Sequence, residues 1–184
     1  MSESGKSEPR QILVIVGSDS DLPQCGSGLE VLQDFESRGI VSVMCVCTAS
    51  VHRNTEVLFE QLKEICAAQD VDVIIAGAGW AAHLPGMVDA YLRFTLADTH
   101  VVVVGVAFED EHDSRHTEAA KLSISEVPGT QVVYQDQAGQ FVGPDGFRRA
   151  CVLAAWGGLP RLQLPQPRPD QARSIREVLS TFCR

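Results

Sequence analysis

Four apolar runs, each closed by a glycine, a small residue or a polar turn, most constrain what this chain can become. They are ILVIV (Ile12–Val16), VSVMCVC (Val41–Cys47), VDVIIA (Val71–Ala76) and VVVVGV (Val101–Val106). Runs of this length suit strands covered on both faces, the environment of a parallel sheet. Between them the apolar spacing turns helical. Leu29, Leu32 and Phe35 precede Gly39, a C-cap residue, and Leu58, Leu62, Ile65 and Cys66 put a stripe on Thr55 to about Gln69. Further helices are expected at Pro85 to about Phe94, near Glu118–Ser125, at Asp145–Trp156 and at about Gln171–Phe182. A fifth strand is expected at Gln131–Tyr134, after the Pro128-Gly129 turn.

This alternation predicts a three-layer α/β fold with a parallel sheet. The right-handed crossover rule favours a flavodoxin-like strand order, 2-1-3-4-5. Residues 1–10 read as a disordered leader and 11–160 as one α/β domain. Residues 161–184 read as a Pro-rich linker with a C-terminal helix. A length of 184 residues fits one domain with a core that needs no staples.

The charge balance, 15 Lys and Arg against 24 acids, argues against a sequence-independent nucleic-acid partner, which needs a basic face. Any anionic ligand must therefore be held by a local arrangement. The six cysteines form no CxxC pair and several sit in apolar runs, so they read as reduced structural thiols. The first residues carry no apolar signal segment, and the longest apolar run falls far short of the ~20 residues of a membrane span. The expectation is a soluble, cytoplasmic protein with no membrane partner.

In open α/β sheets, ligands bind beyond the carboxyl ends of the strands. Gly17–Asp21 (GSDSD) offers the hydroxyls of Ser18 and Ser20 and the free amides of a helix start, a phosphate cradle or an ordinary N-cap. Its carboxylates Asp19 and Asp21 fit that cradle only if they face ribose hydroxyls or solvent. In Ser50–Arg53 (SVHR), His52 can shuttle a proton near neutrality and Arg53 can fork onto a phosphate or carboxylate, although a loop His beside Arg is often plain surface. Ala76–Met87 (AGAGWAAHLPGM) is the most informative stretch. Gly77 and Gly79 let backbone amides approach a flat ligand, and His83 either bonds that ligand or fixes the loop. Trp80 sits in this loop, although tryptophans more often pack. His112 and His116, four apart among acids, could share a helical face toward a metal, but a solvated acidic loop is the expectation and no metal is assigned.

Taken together, these loops resemble those of the PurE family, the N5-carboxyaminoimidazole ribonucleotide mutases of purine biosynthesis. The family pattern, GSxSD, SAHR and AGAGxAAHLPGM, is matched by Gly17–Asp21, Ser50–Arg53 and Ala76–Met87 in the same order. The resemblance implies a flavodoxin-like subunit, usually a homo-octamer, that acts on a small ribonucleotide without a cofactor. It implies that Ser18, Ser20, Asp21 and Arg53 hold phosphate and ribose. His52 would be the general acid/base, Ser50 would line the reacting ring with the Gly77–Gly79 backbone, and Ala78, Gly79 and His83 would contact substrate. The HLPGM form is similar to the mutases rather than to relatives that fix CO2 directly. Trp80 stands where the family usually has a small residue, and Val51 where it has Ala. After the fourth strand, FEDEHDSRHTEAAKLSISEVPG replaces a Ser/Gly-rich segment. The alternatives are a nucleotide-binding or assembly protein on the same scaffold, and a related carboxylase of another nucleotide.

Overall fold

The structure, a computed structural model, describes residues 8–68, 70–166 and 172–182. Most of the expected leader and part of the expected linker lie outside these residues. The four apolar runs form β1 (Arg10–Val16), β2 (Val41–Thr48), β3 (Val73–Ala78) and β4 (Val102–Ala107), all parallel in the order β2-β1-β3-β4. Burial of β3 and β4 is complete along their length, as their unbroken apolar sequences require.

Among the described residues, five helices flank the sheet, α1 (Gly26–Ser37), α2 (Thr55–Ala68), α3 (His83–Ala90), α4 (Ser114–Ser125) and α5 (Gly143–Trp156), and a sixth, α6 (Ile175–Ser180), is exposed throughout. Right-handed crossovers put α1 on one face with α5, and α2, α3 and α4 on the other. The α1–α5 contact is close because Gly28 has no side chain; a Cβ there would stand 2.4 Å from the Phe147 ring. On the opposite face α2 lays Leu58 and Leu62 over Leu13 and Ile15 of β1.

Several boundaries differ from expectation. The first helix begins as a 3-10 turn, Asp19–Cys25, capped by Ser18. The third ends in a π-helical turn, Tyr91–Thr95, built around the buried Arg93, which pairs with the buried Asp89 at 3.1 Å. The fifth strand shrinks to a single parallel bridge, Val104 to Val133, and further along the same edge Ala107 bridges Val142. Two pieces of chain thus share one edge, so neither forms a continuous strand. A small hairpin, β5 (Gln135–Asp136) with β6 (Gly139–Gln140), separates them. Among the described residues, no helix is long and apolar enough to cross a membrane.

Candidate active site

The four strands end at one level. Val16 lies opposite Thr48 on one side and Gly77 on the other, and Gly77 lies opposite Val106. Amides just past the strand ends continue the ladder: Gly17 donates to the Gly77 carbonyl (2.8 Å), Ala49 to Val16 (2.8 Å) and Phe108 to Ala78 (3.0 Å). Because β1 connects toward β2 and β3 toward β4, the chain diverges here and leaves the crevice expected of a doubly wound sheet.

That crevice is a cavity of about 440 Å³. Nine of the residues assigned from the sequence line it: Ser18, Ser20 and Asp21 from the first loop, Ser50, His52 and Arg53 from the second, and Ala78, Gly79 and His83 from the third. Gly77 does not. β3 runs two residues further than expected, so Gly77 lies within the sheet, behind Phe108, whose ring would stand 2.6 Å from a Cβ at that position. Asp19 is exposed and also lies outside the lining.

Each loop is shaped by its own hydrogen bonds. The Ser18 hydroxyl accepts from the Ser20 hydroxyl (3.0 Å), and the Asp21 amide donates to the Ser18 carbonyl (3.0 Å). In the second loop, the amides of Arg53 and Asn54 both donate to the Ser50 carbonyl, at 3.1 and 2.8 Å. Val51 is buried and its carbonyl accepts from the Thr55 hydroxyl, which leaves His52 and Arg53 exposed at the rim. None of the ion pairs among the described residues engages Arg53.

The two imidazoles meet. His52 Nε2 lies 3.0 Å from His83 Nδ1, with the rings edge to face. Such a contact needs one nitrogen to donate and the other to accept, so it links the tautomer of one ring to that of the other. Burial raises the pKa of Asp21 above the ordinary carboxylate value, opposed by the Gly79 amide that donates to it. Asp21 is the only acidic residue among those lining the cavity.

Residues 11–139 match the family model described as AIR carboxylase. The chain belongs to this family. A Pyrococcus abyssi relative, an N5-carboxyaminoimidazole ribonucleotide mutase, is 36% identical over 142 residues, 77% of this chain and 69% of the relative. A Thermotoga maritima relative of the same description is 40% identical over 93 residues, and this match spans about half of each protein, 50% of this chain and 47% of the other. The crystal structure of Treponema denticola PurE superposes with a TM-score of 0.56 at 21% identity, covering 79% of this chain and 77% of that one, and so supports the flavodoxin-like fold.

Against this AIR carboxylase background, two features went unread in the sequence. Trp80 has a left-handed backbone (φ 55°) and remains 62% exposed, so it is not a packing residue. Its indole lines the cavity and stacks on the His116 ring, with centroids 3.9 Å apart and planes 16° from parallel. His116 Nδ1 in turn lies 2.7 Å from an Asp110 carboxylate oxygen. His112 and His116 do not share a helical face, because α4 begins at Ser114, capped by Asp113, and His112 lies in the loop before it. Among the described residues, no group of three His, Cys, Asp or Glu side chains is arranged to hold a metal. Burial makes three of the thiols poor nucleophiles, pushing Cys25 up to about 12 and Cys47 and Cys66 to about 11.

Proposed function

We propose that this chain is a mutase that moves the carboxylate of N5-carboxyaminoimidazole ribonucleotide from the exocyclic nitrogen to the neighbouring ring carbon, an isomerase step of purine biosynthesis. The observation that carries this reading is the meeting of three motif loops in one cavity around the His52–His83 contact. The description shared by the Pyrococcus and Thermotoga relatives supports it.

In this reading Ser18, Ser20 and Arg53 take the phosphate through hydroxyl and charge-assisted hydrogen bonds. Asp21 accepts from ribose hydroxyls, and Ser50 with the Ala78–Gly79 backbone lines the ring. The bond from the exocyclic nitrogen to the carboxylate breaks and releases CO2, while protonated His52 delivers its proton to that nitrogen. The electron-rich ring carbon then attacks the CO2 carbon. Neutral His52 recovers a proton as that ring carbon loses its hydrogen, so one proton leaves the imidazole and one returns. With Nε2 engaged by His83, His52 keeps Nδ1 for the substrate. Confining CO2 beside the ring replaces a bimolecular recapture with a local one, where effective molarities reach ~10⁵ M and above. This route uses no metal or cofactor.

The test is turnover of N5-carboxyaminoimidazole ribonucleotide by the wild type and by His52→Asn. The expected result is conversion by the first and a loss of at least about a hundred-fold in the second, with nucleotide binding and fold retained. A wild type that binds the ribonucleotide without converting it would instead make the chain a binding protein on the same scaffold. The same reading makes it a cytoplasmic homo-oligomer, an octamer by resemblance, with no nucleic-acid or membrane partner. Light scattering tests the assembly, and a monomeric mass would count against it.

A further inference from the structure

We infer that Trp80 is a stacking platform for the planar ring of the ligand, and that the loop after β4 acts as its mount. The inference rests on the reading above that the cavity takes an aminoimidazole nucleotide.

Trp80 lines the cavity between Gly79 and Ala81, in a backbone conformation that residues with a side chain rarely adopt. Such a conformation persists only where its surroundings hold it. Here the hold is visible. His116 covers part of the indole in a near-parallel stack, and His116 is itself fixed by Asp110. The Asp110 carboxylate also accepts from the amides of His112 (2.9 Å) and Asp113 (3.3 Å), while the Asp110 amide donates to the Thr117 hydroxyl (2.9 Å). The indole is therefore clamped, yet much of its surface stays open beside the crevice. A fixed, flat, electron-rich surface is what a planar heterocycle stacks on, at little entropic cost.

The acids of this loop play no direct part in the cavity. Glu109, Asp110 and Glu111 line a separate space of about 650 Å³ with Glu118 and Lys121, and none of its lining residues is shared with the crevice. The polar side chains after β4 meet the crevice through His116, which stacks on the Trp80 ring. Trp80 and the segment after β4, two of the departures from the family pattern, are thus halves of one device.

The chain has two tryptophans, and Trp156 packs edge-on against Phe35 of α1, away from the cavity. Trp156→Phe therefore leaves Trp80 as the only indole fluorophore. Aminoimidazole ribonucleotide should quench its emission saturably, whereas ribose 5-phosphate, which lacks the ring, should not. In turnover, Trp80→Ala should raise KM about ten-fold or more with much less change in kcat, as loss of one ring stack predicts. Trp80→Phe should recover most of that loss. His116→Ala should raise KM by less, and His116→Phe should restore it by replacing the ring. An unchanged KM in Trp80→Ala, or an emission indifferent to saturating nucleotide in an enzyme that turns over, overturns the inference. Equal quenching by ribose 5-phosphate also overturns it, since Trp80 would then sense the phosphate rather than the ring. A wild type that neither binds nor converts the nucleotide fails at the functional reading itself, a different result.

Discussion

The loops after β2 and β4 leave the same end of one sheet, and both are polar and carry histidine, yet they are used in opposite ways. In Ser50–Arg53 the backbone bonds to itself and Val51 is buried, so the side chains of Ser50, His52 and Arg53 are free for the cavity. In Phe108–Asp113 the side chains bond to the backbone instead. Asp110 holds two amides and His116, Asp113 caps α4 and pairs with Arg115, and Phe108 is buried beneath Gly77 and beside Phe147. A polar run in a sequence therefore reveals how much charge a loop carries but not whether ligand or backbone uses it. What decides is which donors lie within reach of each carboxylate. Here the pKa directions agree: Asp110 is held below the ordinary value chiefly by His116, and Asp113 chiefly by Arg115.

Substitutions can sharpen or break this contrast. The largest effect should come from His52→Asn, which removes the proposed general acid/base and should cut turnover ~10²- to 10⁴-fold while circular dichroism stays unchanged. Full activity in that variant would end the claim that the β2 loop supplies the chemistry. Next is Gly77→Ala, whose new methyl would meet the Phe108 ring. Overpacking of this kind costs about 1–3 kcal/mol, read as a lower denaturant midpoint, and an unchanged midpoint would mean that the β4 loop does not pack Phe108 against β3. Arg53→Ala should weaken nucleotide binding by about 2 kcal/mol, the order expected for a hydrogen bond to a charged group, and a calorimetric titration would measure it. The smallest effect belongs to Glu111→Gln. It lies outside the cavity, so stability should shift by less than about 0.5 kcal/mol and KM should hold. A marked fall in KM would place that acid near the ligand after all.

Much of this molecule was legible before its structure. Apolar runs place four strands to within about two residues; β1, β3 and β4 are buried on both faces, which leaves little choice of sequence, whereas the edge strand β2 leaves Met44, Cys45 and Val46 exposed although its run is equally apolar. The three motif loops could be placed because each follows such a run. Contacts between remote segments were not legible. The buried Asp89–Arg93 pair has the spacing of an exposed helical ion pair, and only the packed fold shows Asp89 also accepting from the Gln131 amide (2.8 Å) and the Thr130 hydroxyl (3.3 Å). The fifth strand was overdrawn because the segment ending in Val142 takes part of the same edge. The sequence places Trp80 in a pocket loop without showing its partner, because His116 lies in α4, far along the chain.

The α1–α5 contact has a practical consequence for anyone dividing this chain. The stretch that matches the family stops at residue 139, before α5 begins. Yet α5 buries Phe147, Ala150, Cys151 and Ala154, closes against Gly28, and offers the Ala154 carbonyl to the Arg10 guanidinium at 2.7 Å. A fragment trimmed to the matched boundary would expose that entire side to water and should aggregate rather than fold. The shortest expressible piece must run past Trp156.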